Sequence, residues 1–209
     1  MTSEILILTK STMKGGYCIA GIDTLSKKWI RLVQDKEGNP LIGAYTKYQN
    51  ADGHCEALDV VRVEIAERVP LKNQAENCRI TAGSMQKIRT CTVKEALNLY
   101  PPESHAHTFG NDSPSLSENE MHEYDLHYSL ILVSVKNLTV NFSRHRADFD
   151  YNGTRCKDFR ITDTKYSGKD SFLGGSANIG DACLVISMPK VPDRRTKSYY
   201  KFIAKILLI

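Results

Sequence analysis

Basic and aromatic side chains interleave on stretches that read as β-strands, and this pairing is the chemistry the chain offers most plainly. Trp29 and Arg31 lie two apart in the triplet WIR, so strand alternation puts them on one face, with Tyr17 on the preceding strand. Arg144, Arg146, Tyr151, Arg155, Lys157, Phe159 and Arg160 fall within one hairpin-like stretch. The loop PKVPDRRTKS supplies Lys190, Arg194, Arg195 and Lys197, and Tyr199, Tyr200 and Lys201 open the run that follows. Rings on a sheet stack nucleobases while cations track phosphates, so the set suits single-stranded nucleic acid. The expected contacts are Tyr17, Trp29, Arg31, Arg144, Arg146, Tyr151, Arg155, Lys157, Arg160, Arg194, Arg195, Tyr200 and Lys201. Arg31→Ala and Arg160→Ala are each expected to weaken binding without unfolding the chain.

A blander reading stands beside each. Trp29 can close the bottom of a barrel, and Phe149, Phe159 and Phe202, each in an alternating run, are expected to face a core. Arg31, between Ile30 and Leu32, can pair with Asp23 or Asp59, and Arg194-Arg195 can be a solvated turn.

Catalytic constellations are missing from the pattern. The chain has no G-x-S-x-G, H-E-x-x-H, Walker A or G-x-G-x-x-G, and Leu173-Gly174-Gly175-Ser176 reads as a turn because no lysine and helix follow it. His105 with His107, or His54 with Cys55, lacks a ligand set of familiar spacing, so neither metal nor cofactor is expected. Cys18 and Cys156 have no local group to activate a thiol. A nuclease using Asp148, Asp150, Asp158 and Asp163 ranks third, behind a nucleic-acid-binding protein and a protein-interaction or regulatory module. The protein is expected not to be an enzyme.

The elements that must position these residues are strands. Residues 3–10, 16–22, 29–33 and 58–67 have strand character, and a second series runs through HYSLILVSVKNLTVNF, RADFDYNGTRCKDFRITD, DACLVISMP and YYKFIAKILLI. Asn152-Gly153 predicts a type I′ hairpin. Thr92 followed by Glu95 predicts a capped helix over 92–100, stopped by Pro101-Pro102. The pattern predicts a mainly β chain of two small barrels in tandem with one short connecting helix. Their bounds are 1–102 and 127–209, with 103–126 an acidic linker or surface loop. A repeat of the first half in the second is faint, with no motif recurring at a fixed period.

Charge is uneven. Residues 127–209 carry 14 Lys and Arg against 7 Asp and Glu, whereas 103–126 carry six acids and no Lys or Arg, which favours a polyanionic partner for the C-terminal half. Six cysteines scattered singly read as reduced thiols, no apolar run reaches the roughly 18 residues of a membrane helix, and the N-terminus lacks a basic signal-like region. A cytoplasmic protein is expected.

The stretches YCIAGIDTLSKKWIRLV, LDVVRVEI followed by NQAEN, DFDYNGTRCKDFRITD and YYKFIAKI resemble the bacterial dual OB-fold-containing domain family over nearly the whole chain. That resemblance implies two OB-like barrels in tandem and a nucleic-acid-binding role, sometimes within bacterial defence or conflict systems. It implies no catalytic residue.

Overall fold

Apolar alternation on short strands, broken by polar turns, closes into a ring twice along this chain. The computed structural model describes residues 1–13, 15–167 and 175–209, and the chain divides into two units, Met1–Pro101 and Pro102–Ile209. Leu173 and Gly174, half of the expected glycine turn, lie outside the described residues.

In the N-terminal unit, β1 (Thr2–Met13), β2 (Gly16–Asp23), β3 (Trp29–Val33), β4 (Asp59–Arg68) and β5 (Asn77–Ile80) pair in the order β1-β2-β3-β5-β4, and β4 returns to β1. The β3–β5 pair is parallel; the other four are antiparallel. A sixth strand, β6 (Gln86–Thr90), lies against the first part of β4. Ile5, Ile7, Ile19, Leu32, Val61, Val63 and Ile80 fill the interior. Gly21 is where β2 crosses closest to β1: a Cβ there would stand 2.0 Å from the Leu6 carbonyl oxygen, so any side chain would force the strands apart. The Thr92–Glu95 capping box forms and opens α1 (Val93–Leu99).

The C-terminal unit adds β7 (Ser115–Ser117), α2 (Glu118–Glu123), β8 (Leu130–Asn141), β9 (Arg146–Tyr151), β10 (Thr154–Ile161), α3 (Thr164–Ser167), β11 (Ser176–Ser187), β12 (Ser198–Tyr200) and β13 (Phe202–Leu208). Five of these strands close as β8-β9-β10-β13-β11, again with one parallel pair, β10–β13. The two rings therefore share one strand order, which the sequence showed only faintly. Asn152 and Gly153 both take positive φ, 48° and 81°, as the two-residue hairpin between β9 and β10 requires. Phe149 and Phe159 meet edge to face at 4.9 Å in the centre of the core.

Three expectations change. Residues 103–126, expected as a linker or surface loop, stay mostly at the surface but are anchored rather than linking: Phe109, Leu116, Met121 and Leu126 enter the C-terminal core, and β7 pairs with β12. Their apolar residues follow no regular period, so composition hid an element that packs through irregular turns. β5 and β6 form where no strand period was visible, because each is only four or five residues long. Phe202 leaves the core, since a bulge around Ala204 resets the alternation of β13 and turns Phe202 outward. Among the described residues no helix is long and apolar enough to cross a membrane.

Candidate nucleic-acid interface

Strand register brings together what the sequence spread over fifty residues. Arg160 of β10 stands opposite Arg146 of β9 on one side and beside Phe202 of β13 on the other. Their neighbours Ala147, Phe159 and Ile203 point inward, so this row of three faces outward. The loop from Pro189 to Arg195, between β11 and β12, and Tyr200 complete a cleft of about 390 Å³. Four of the expected contact residues, Arg146, Arg160, Arg195 and Tyr200, line it.

The loop is held in shape before any ligand arrives. The Asp193 carboxylate accepts from the Arg195 amide at 3.0 Å, the Thr196 amide at 2.9 Å and the Thr196 hydroxyl at 3.2 Å. The Thr196 amide first, then the Arg195 amide and the Thr196 hydroxyl, hold that carboxyl below its usual range. Beyond the loop, Tyr200 pairs with Ser115 in β7, and the Lys201 amide donates to the Pro114 carbonyl. The segment expected as a linker is thus the buttress of the cleft.

Two like charges directly opposite on neighbouring strands are unfavourable. Arg146 is partly compensated: Asp158 lies 3.7 Å from its Nε and 3.3 Å from Arg144 Nη2. Arg160 has no ion pair recorded among the described residues. Asp158 sits on a β-bulge with φ of 61°, its amide donating to the Asp148 carboxylate at 2.8 Å. Asp158→Asn tolerates the same backbone while freeing both guanidinium groups. It is expected to raise affinity for a single-stranded oligonucleotide about two- to threefold, read by fluorescence anisotropy.

Other expected contacts are placed elsewhere. Arg144, Lys157 and Arg194 are exposed but do not line the cleft. Arg155 is engaged by Asp150 at 3.0 Å and by the Asn137 carbonyl at 3.0 Å. In the N-terminal barrel, Tyr17 carries the Lys10 ammonium over its ring at 4.7 Å, and Trp29 is half-buried against Tyr100.

Arg31, Tyr151 and Lys201 are corrections, because all three are buried and cannot meet a ligand. Arg31 does point outward from β3, but the chain leading into β5 covers it, and Glu76 pairs with it. Tyr151 turns inward, its hydroxyl donating to the His105 carbonyl at 2.7 Å. The Lys201 ammonium donates to the Asn111 carbonyl at 2.6 Å and to Asn111 Oδ1 at 2.8 Å.

Burial pulls the Lys201 pKa down to about 7, against the pull of Asp112, Cys156 and Glu120. In the unfolded chain this amine titrates near about 10.4, so between these values the unfolded state binds more protons and stability rises with pH. Burial pushes Cys156 up to about 12, which opposes that rise once unfolded thiols ionise above about pH 8.5. Urea denaturation is expected to show the C-terminal barrel gaining about 1–2 kcal/mol between about pH 7 and 8.5. Lys201→Met is expected to flatten the rise.

The acids of the nuclease reading do not gather. Asp148 caps the Asp158 amide, Asp150 pairs with Arg155, and buried Asp163 accepts from Lys205 and the Ile206 amide. His105 and His107 contact Glu103 and Asp112, at 2.7 and 2.8 Å. Among the described residues no three His, Cys, Asp or Glu side chains are placed to share a metal ion.

Sequence reasoning missed Pro189, Val191, Pro192, Asp193 and the outward Phe202 as parts of the cleft. The signal for Asp193 was present, since Asp two or three residues before Arg and Thr is an Asx-turn pattern.

A model of the dual OB-containing domain matches residues 3–206 of the 209-residue chain. No curated protein and no solved structure matches it.

Proposed function

The chain belongs to the dual OB-containing domain family, and on that premise we propose that its C-terminal barrel binds nucleic acid, as single-stranded or structured RNA or DNA. One observation carries the reading: Arg146 and Arg160 stand side by side on adjacent strands, with Arg195 and Tyr200 at the same cleft. A phosphate relieves the opposition of the two guanidinium groups, and Tyr200 and Phe202 offer ring surface for an unpaired base. OB folds bind oligonucleotides on their second and third strands and on the loop between the fourth and fifth. In this ring those strands are β9 and β10, and that loop carries Arg195. The site is non-catalytic in this reading; a setting in bacterial defence or conflict is what the family resemblance suggests, and a cytoplasmic one is what the short apolar runs and singly scattered cysteines suggest.

The test is a salt titration of binding to single- and double-stranded DNA and RNA. Three arginines on phosphates give a log–log slope of roughly −2 for a single strand. An affinity indifferent to salt would instead favour a protein partner.

A further inference from the structure

The N-terminal barrel has a cleft of its own, and its chemistry differs from that of the arginine row. It measures about 630 Å³, within the range of about 300–1,000 Å³ typical of small-ligand sites, and opens at the turn between β2 and β3. Trp29 lines it from the start of β3, and Leu25, 92% exposed, stands at the turn. Ile30, Ile65 and Cys78 add apolar surface, while Lys28 and Arg68 supply positive charge at the opening. Two carboxylates share the opening, but both are engaged: Asp23 accepts from the Ser26 amide at 2.7 Å and hydroxyl at 2.8 Å, and Glu4 pairs with Arg62. Asp23 keeps its negative charge, but Lys28 and Arg68, neither in an ion pair among the described residues, outnumber it, so the net charge left for a ligand is positive. Trp29 meets Tyr100 at 5.9 Å and 77°, an edge-to-face contact that fixes the plane of the indole.

We propose that this cleft binds one nucleotide, its base against Trp29 and Leu25 and its phosphate against Lys28 and Arg68. An apolar platform with a fixed ring accepts a planar heterocycle at little ordering cost, and the excess positive charge of Lys28 and Arg68 at its edge selects a heterocycle that carries an anion. The site goes beyond the C-terminal reading and does not require it, since no residue is shared.

Trp29 is the only tryptophan in the chain, so its emission reports this cleft alone. Adenosine monophosphate is expected to change Trp29 fluorescence saturably, with half-effect at or below about 1 mM. Arg68→Ala is expected to weaken that response about tenfold, and the Arg146→Ala/Arg160→Ala double variant to leave it unchanged. Adenosine without phosphate, run beside it, is expected to bind at least several-fold more weakly. A response absent in the wild type, equal for adenosine, unmoved by Arg68→Ala, or produced only by an acidic peptide would overturn the proposal. Loss of oligonucleotide binding in the double variant with the Trp29 response intact separates this site from the C-terminal one. Retained oligonucleotide binding without any Trp29 response does so in the opposite direction.

Discussion

Replacing Arg146 and Arg160 together by alanine is expected to lower affinity for a single-stranded oligonucleotide about ten- to hundredfold near 50 mM salt, and to reduce the salt slope by about 1.4. The two effects have one origin. Each guanidinium that meets a phosphate releases condensed counterions, so losing two such contacts removes both binding energy and salt sensitivity. Folding is expected to be little affected. The Arg146–Asp158 pair at 3.7 Å is partly solvated and belongs to the class worth about 0–1 kcal/mol, and removing two opposed like charges acts in the stabilising direction. Arg155→Ala is the control, because Asp150 and Asn137 already engage that side chain. Anisotropy titrations at several salt concentrations decide the matter: a double variant with wild-type affinity and slope would remove the cleft from the binding surface.

How much of this was legible depended on whether a residue's fate was decided locally. Two strands around Asn152-Gly153, the capped helix after Thr92 and the inward Phe149 and Phe159 follow from period and turn chemistry within a few residues. Arg146, Arg160, Arg195 and Tyr200 were legible as types, but only register and ring closure put them at one cleft. Residues 103–126 misled for the opposite reason. Their acids and serines give a solvated composition, while four separated apolar side chains anchor them to the core. Lys201 follows the same logic. Its neighbours read as an exposed basic strand end, yet its amine is satisfied by Asn111, ninety residues earlier in the chain. Arg31 looked like Arg160 in sequence, and by topology the likeness was sound.

Glu76→Ala is the prediction that turns on that likeness. Arg31 faces Asn77, the first residue of β5, across a parallel pair; Arg160 faces Phe202, the first residue of β13, across the equivalent pair of the second ring. What differs is the residue just before the last ring strand, Glu76 in one barrel and Lys201 in the other. Glu76 approaches Arg31 Nε to 3.5 Å, and both side chains are only 6% exposed, so the N-terminal arginine already has a carboxylate where its counterpart has open solvent. Lys201 gives Arg160 no such partner, and that side chain stays exposed. Removing the Glu76 carboxylate takes a counter-charge from a buried guanidinium, a loss that costs about 3–5 kcal/mol when a buried pair is broken from one side. Urea denaturation followed by Trp29 emission, which reports the N-terminal barrel, is expected to show that drop in Glu76→Ala. Arg31→Met combined with Glu76→Leu is expected to recover most of it, since an apolar pair of similar volume leaves no charge stranded. Arg31→Ala, accordingly, is a folding variant of the N-terminal barrel, whereas Arg160→Ala at the matching position is a binding variant of the C-terminal one. An unshifted Glu76→Ala midpoint would show that the buried Arg31 guanidinium does not depend on this carboxylate and would withdraw Arg31→Ala as a folding variant.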